Sequence, residues 1–135
     1  MIGDRIDVNI AGGLDVPLPR MVHVRQKFEL SKISSVSETV AQEFKKPGIQ
    51  SMVKPGMTIA LGVGSRGVNN IAVCVKAVVD EIKLLGGKPF VFPAMGSHGG
   101  ATAEGQKEVL DGYGVTEAFI GCPVKSSMEV VEIGK

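Results

Sequence analysis

Two stretches of this chain set a chemically capable side chain among glycines. They are Gly62-Val63-Gly64-Ser65-Arg66-Gly67 and Gly96-Ser97-His98-Gly99-Gly100-Ala101. Arg66 carries a fixed positive charge on a planar fork that grips a carboxylate or phosphate at two points. His98 carries an imidazole, which takes and returns a proton near neutral pH. Packing gives an arginine held between glycines little reason to exist, and no bulky neighbour is at hand to bury His98. The residues point to His98 as a general acid/base. Ser65, Arg66, Gly64, Gly67, Ser97 and Gly99 are the candidate substrate or cofactor contacts, and no metal ligands are assigned.

Something must position these loops. Met57 to Leu61 and Phe90 to Pro93 are short apolar runs bounded by turn signals, which suits strands buried on both faces. Between them, Ile71, Val75, Val78, Val79 and Ile82 fall on one helical face. Asn70 is the expected N-cap of this helix over Ile71 to Leu85, and Gly86-Gly87 its stop. Thr102 caps a helix over Ala103 to Asp111 that ends at Gly112-Tyr113-Gly114. Strand, helix, strand, helix is the βαβ pattern of an α/β, Rossmann-like parallel-sheet domain. In such a sheet the strand-to-helix loops open on the carboxyl edge, where ligands bind. Arg66 and His98 then share one rim.

The flanks are less regular. Ile6 to Ile10 and Met21 to Phe28 are expected strands, with Pro17 and Pro19 blocking a helix, and His23 in the second strand has a structural role. Ser35 and Glu38 have capping-box spacing ahead of a helix through Phe44, ended by Pro47-Gly48. Ile49 to Val53 is a further short segment. Toward the end, Val115 to Ile120 suggests a turn and short strand, and Met128 to Ile133 alternates like another. The chain divides into opening strands and a helix over residues 1–56 and a βαβα core over residues 57–135. Two βα units supply little core, so the chain is expected to be the N-terminal part of a larger, two-domain protein.

Composition narrows the partners. The 135 residues are 44% hydrophobic and 21% charged, with 15 Lys plus Arg against 14 Asp plus Glu. These charges are dispersed and aromatics are 4%, so there is neither a basic stripe nor a stacking platform for nucleic acid. No run approaches the ~20 apolar residues of a bilayer span, and the N-terminus lacks the pattern of a signal peptide. A cytoplasmic location is expected. Cys74, among valines in a helix, reads as a buried structural thiol. Cys122, in Gly121-Cys122-Pro123, reads as a loop thiol without metal or redox partners.

Gly62 to Gly67 also matches the G-x-G-x-x-G dinucleotide pattern after a strand. That pattern requires an acid at the end of the next strand to hold the ribose, and here the strand ends Phe92-Pro93-Ala94. The missing acid argues against NAD or FAD.

Val63-Gly64-Ser65-Arg66-Gly67, the block from Pro93 to Gln106 and the run Gly121 to Glu129 together resemble the N-terminal domain of the nickel-dependent lactate racemase family. The likeness is to its lactate racemase-like branch of uncertain substrate, and is strongest from about Met57 to Ile133. The resemblance implies two α/β domains with a site in the cleft between them. It also implies racemisation or epimerisation of a small-molecule 2-hydroxy acid with a nickel pincer nucleotide cofactor. His98 matches the first of two acid/base histidines, and Arg66 an arginine that helps hold cofactor phosphate or substrate. Val63 stands where the family has an acid, Ser65 where it has threonine, and Gly99 where its histidine motif has arginine. The cofactor's lysine and histidine anchors and the second acid/base histidine would lie beyond Lys135. The partner is a second domain of the same protein or another copy in a homo-oligomer. Rival readings are a non-catalytic phosphate- or nucleotide-binding module and an interaction domain serving assembly.

Overall fold

The computed structural model describes residue 11, residues 20–29, residues 32–132 and residue 134. Contacts divide the chain into two compact units, residues 1–31 and 32–135. In the first unit, residues 20–29 are exposed and form neither strand nor helix. The strand expected over Met21 to Phe28 is thus absent. Alternation alone does not make a strand, which needs a neighbour to pair its amides and carbonyls. The structural role expected of His23 falls with it, since this histidine lies exposed. The strand expected at Ile6 to Ile10 lies outside the described residues.

The second unit is mixed α/β. Its elements are α1 (Val36–Phe44), α2 (Pro47–Gln50), β1 (Thr58–Val63), α3 (Ile71–Leu84), β2 (Lys88–Pro93), α4 (Ala103–Gly112) and α5 (Glu117–Ile120). A single 3-10 turn, Gly99–Ala101, precedes α4. Strands β1 and β2 are parallel neighbours, with Thr58 opposite Lys88 and Val63 opposite Pro93. The expected pairing through the α3 crossover is what forms.

Local chemistry accounts for most boundaries. The Ser35 hydroxyl accepts from the Glu38 amide at 3.3 Å and starts α1. Pro47 does not simply end that helix. It begins α2 at the first helical position, where its missing N–H costs nothing. Strand β1 runs two residues past Leu61, because Gly62 leaves room for a neighbouring ring. A Cβ there would sit 3.1 Å from Cζ of Phe92. Asn70 is not a side-chain cap: its backbone is left-handed, at φ 57 and ψ 31, and its side chain makes no capping bond. A capping residue needs extended backbone, whereas this asparagine closes the preceding turn.

Leu110, Ile120, Val79, Val91 and Val115 are the largest fully buried side chains. With Val63, Cys122 and Val124 they form one core, against which Ile71 and Val75 of α3 pack. The C-terminal stretch is built differently from the expected strands. Residues 117–120 are helical, capped by the Thr116 side chain at 3.3 Å and stopped by left-handed Gly121. Residues 128–132 form no strand. Instead the sheet gains a single parallel bridge between Val91 and Val124. Val91 N–H donates to the Pro123 carbonyl at 2.9 Å, and Lys125 N–H to the Val91 carbonyl at 2.8 Å.

Candidate functional site

Both glycine-rich loops leave the carboxyl ends of neighbouring parallel strands, and the structure brings them into contact. The Ser65 hydroxyl is hydrogen-bonded to Nδ1 of His98, across 33 positions of sequence. The cavity at this junction has a volume of 280 Å³ and is lined by Gly64, Ser65, Arg66, Ala94, Met95, Gly96 and His98. Four of the sequence-derived candidates, Gly64, Ser65, Arg66 and His98, therefore meet at one place. Ser65 is 9% exposed, while Arg66 and His98 are exposed to solvent. The cation and the imidazole are open to solvent, and Ser65 is nearly buried in the cavity wall.

The other three candidates stand apart from the cavity lining. Ser97 is exposed and Gly67 takes a left-handed φ of 60° in open space. Gly99 has a packing reason to be glycine. Its φ is +63°, and a Cβ there would lie 2.5 Å from the Gln106 amide nitrogen. The converse holds at Gly105, where a Cβ would fall 2.8 Å from the Gly99 carbonyl carbon. The His98 loop thus lies directly on the first turn of α4. The Thr102 hydroxyl completes the joint, donating to the Gly99 carbonyl and accepting from the Gly105 amide, each at 3.1 Å.

Two further residues hold the site, and both come from α4 or its end. The buried Gln106 side chain donates from Nε2 to the Gly96 carbonyl at 2.6 Å. The Tyr113 hydroxyl donates to the Ser65 carbonyl at 2.9 Å. One helix therefore latches both loops. A signal for Gln106 existed in the sequence, as a polar residue four positions before Leu110 on the apolar face of α4. Tyr113 gave none, because its partner is 48 positions away.

Donors for an anion are present. Among the described residues, the backbone N–H groups of Ser65, Arg66 and Gly67 make no hydrogen bond. Of these, Ser65 and Arg66 line the cavity, where their amides and the guanidinium are the candidate donors to an oxyanion. A cavity of 280 Å³ lies just below the ~300–1,000 Å³ usual for ligand pockets. It has room for a phosphoryl group or a small hydroxy acid. Among the described residues, no group of three His, Cys, Asp or Glu is placed to hold a metal ion.

The cysteines stand outside this site. Cys122 lies in the loop after α5, as expected, with its side chain buried in the core, and burial pushes its thiol up from the ordinary value, partly offset by Lys83. A thiol raised in this way is a poor nucleophile. Cys74 is only half-buried, and with Leu61, Val63, Val75 and Val78 it lines a separate apolar cavity of 200 Å³.

Comparison of the chain with protein-family models, curated proteins and solved structures gives no match. No helix among the described residues is long and apolar enough to cross a membrane.

Proposed function

We propose that this chain is the N-terminal, Rossmann-like part of a racemase or epimerase acting on a 2-hydroxy acid, with a cytoplasmic location. The reading is carried by the meeting of the two loops, where a solvent-reachable imidazole is hydrogen-bonded to Ser65 in a cavity that Arg66 also lines. A 2-hydroxy acid presents two handles, a carboxylate and a hydroxyl on the adjacent carbon. The Arg66 side chain and the Ser65 and Arg66 amides suit the anion, and His98 suits the hydroxyl proton. Inverting the carbon requires that proton to leave and return, a task for a group that titrates near neutrality.

The family resemblance adds a nickel pincer nucleotide, which when bound supplies a hydride acceptor for the substrate carbon. The residues present fit only the anionic end of such a group, at Arg66 and the adjoining amides. Within this chain, Arg66 binds and orients, and His98 holds and moves the hydroxyl proton.

A second reading draws on the same donors: a module that binds phosphate or a nucleotide and does no chemistry. The two separate on the complete, cofactor-loaded protein. Racemisation within a panel of single-enantiomer 2-hydroxy acids, followed by chiral chromatography, together with a cofactor mass on the intact protein, is the expected result. Neither isomerisation nor an adduct, with stabilisation by phosphate or mononucleotides alone, would overturn the enzyme reading in favour of the module.

A further inference from the structure

We infer that Ser65 is a positioning residue that fixes the tautomer of His98, and that Tyr113 holds Ser65 in place for this task; the inference rests on the acid/base reading of His98. A neutral imidazole carries its proton on one nitrogen, and a hydrogen bond at the other side of the ring decides which. Here the Ser65 hydroxyl sits on Nδ1, so Nε2 is the nitrogen left free. To take a proton from a substrate hydroxyl, Nε2 must present its lone pair. That requires the ring proton on Nδ1, donated to Ser65 Oγ.

The accepting role of Oγ also suits the whole cycle. When His98 gains a proton at Nε2, both ring nitrogens are donors, and the partner of Nδ1 can only accept. A serine that accepts in the neutral state keeps the same hydrogen bond in the protonated state. Were Ser65 the donor, neutral His98 would carry its proton on Nε2 and could not act as base. Its hydroxyl would also have to rotate at every proton transfer.

The serine itself is well placed to hold a ring still. It is nearly buried, so water competes poorly for its hydroxyl. Its carbonyl accepts the Tyr113 hydroxyl at 2.9 Å, which anchors the backbone beneath it to the end of α4. On the other side, Gln106 anchors the His98 loop through the Gly96 carbonyl at 2.6 Å. Tyr113 and Gln106 thus fix the two ends of the Ser65–His98 bond to one rigid element. The Ser65 hydroxyl, engaged on Nδ1, acts on substrate through His98.

The tautomer is read directly by long-range proton–nitrogen NMR of the His98 ring in this chain, at a pH where the ring is neutral. The wild type is expected to show Nδ1–H. Ser65→Ala should shift the ring to the Nε2–H form that free imidazole favours, Ser65→Thr should restore Nδ1–H, and Tyr113→Phe should give a partial shift. Wild-type His98 in the Nε2–H form would overturn the inference however the variants fold, as would a Ser65→Ala ring unchanged from wild type. In the complete enzyme, Ser65→Ala should lower kcat about tenfold with KM nearly unchanged, the low end of what outer partners of functional histidines contribute. A switched tautomer with unchanged kcat would also overturn the inference. A tautomer controlled by Ser65 in a protein that isomerises nothing would instead remove the racemase reading and leave the contact standing.

Discussion

The two loops at the carboxyl edge of the sheet have similar compositions and opposite construction. The His98 loop is fastened at its two ends, Gly96 and Gly99 to Thr102. Gly99 lies on Gly105, Thr102 bridges them, and Gln106 ties down Gly96 from a buried position. The Arg66 loop is tethered at Ser65 and little beyond it. Gly67 has open space around it, and the turn into α3 is closed by a left-handed asparagine with no side-chain cap. The contrast matches the tasks assigned to the two side chains. Proton transfer demands an acid/base held within a narrow range of positions. An anion grip tolerates a longer reach, because a guanidinium on a flexible arm still finds its oxyanion. Glycine therefore means two things here: close contact at Gly62 and Gly99, and freedom at Gly67, Gly96 and Gly100.

That difference yields a stability test with the largest expected effect. Gly99→Ala should cost roughly 3–4 kcal/mol, since a Cβ both meets the α4 backbone and sits at positive φ. Gly105→Ala should cost roughly 2–3 kcal/mol from the same clash. Gly67→Ala, in open space, should cost only about 1 kcal/mol for its left-handed backbone. Urea unfolding of the three variants checks the ranking. A Gly67 variant as unstable as the Gly99 variant would break the comparison.

The fastenings of the His98 loop should show the next effects. Gln106→Leu leaves the Gly96 carbonyl without its partner and should destabilise by about 1–3 kcal/mol. Thr102→Ala removes the α4 cap and should cost about 1 kcal/mol. Hydrogen exchange would sharpen the point: both variants should speed exchange around His98 and leave the Arg66 loop as it was.

What the sequence revealed follows from how local each feature is. Strands β1 and β2, helices α3 and α4 and the Ser35 and Thr102 caps rest on short-range patterns, and the structure contains them. Met21 to Phe28 had the right alternation, but pairing is a property of two segments that alternation within one cannot show. Val124 could not be seen as a strand because a single bridge has no period. Helix α5 had its signals, a Thr116 cap and a Gly121 stop, yet four residues show no helical repeat. At the site, Arg66, His98 and Ser65 stood out against glycine. Gly99 stood out for the same reason although contact with Gly105 accounts for it. Tyr113 was invisible, because its function exists only once α4 and the Ser65 loop are neighbours.

The central claim is that the loops divide binding from proton transfer, and an anion titration tests it most directly. Inorganic phosphate and a single-enantiomer 2-hydroxy acid would be titrated into the wild-type chain, Arg66→Ala and His98→Gln, following the amide signals of residues 64–67 and 95–98. Arg66→Ala should weaken binding about 10–100-fold, the worth of a charged hydrogen-bonded contact. His98→Gln should bind within about threefold of wild type while its turnover in the complete enzyme falls about 10²–10⁴-fold. Unchanged affinity in Arg66→Ala, or full turnover in His98→Gln, would contradict that division.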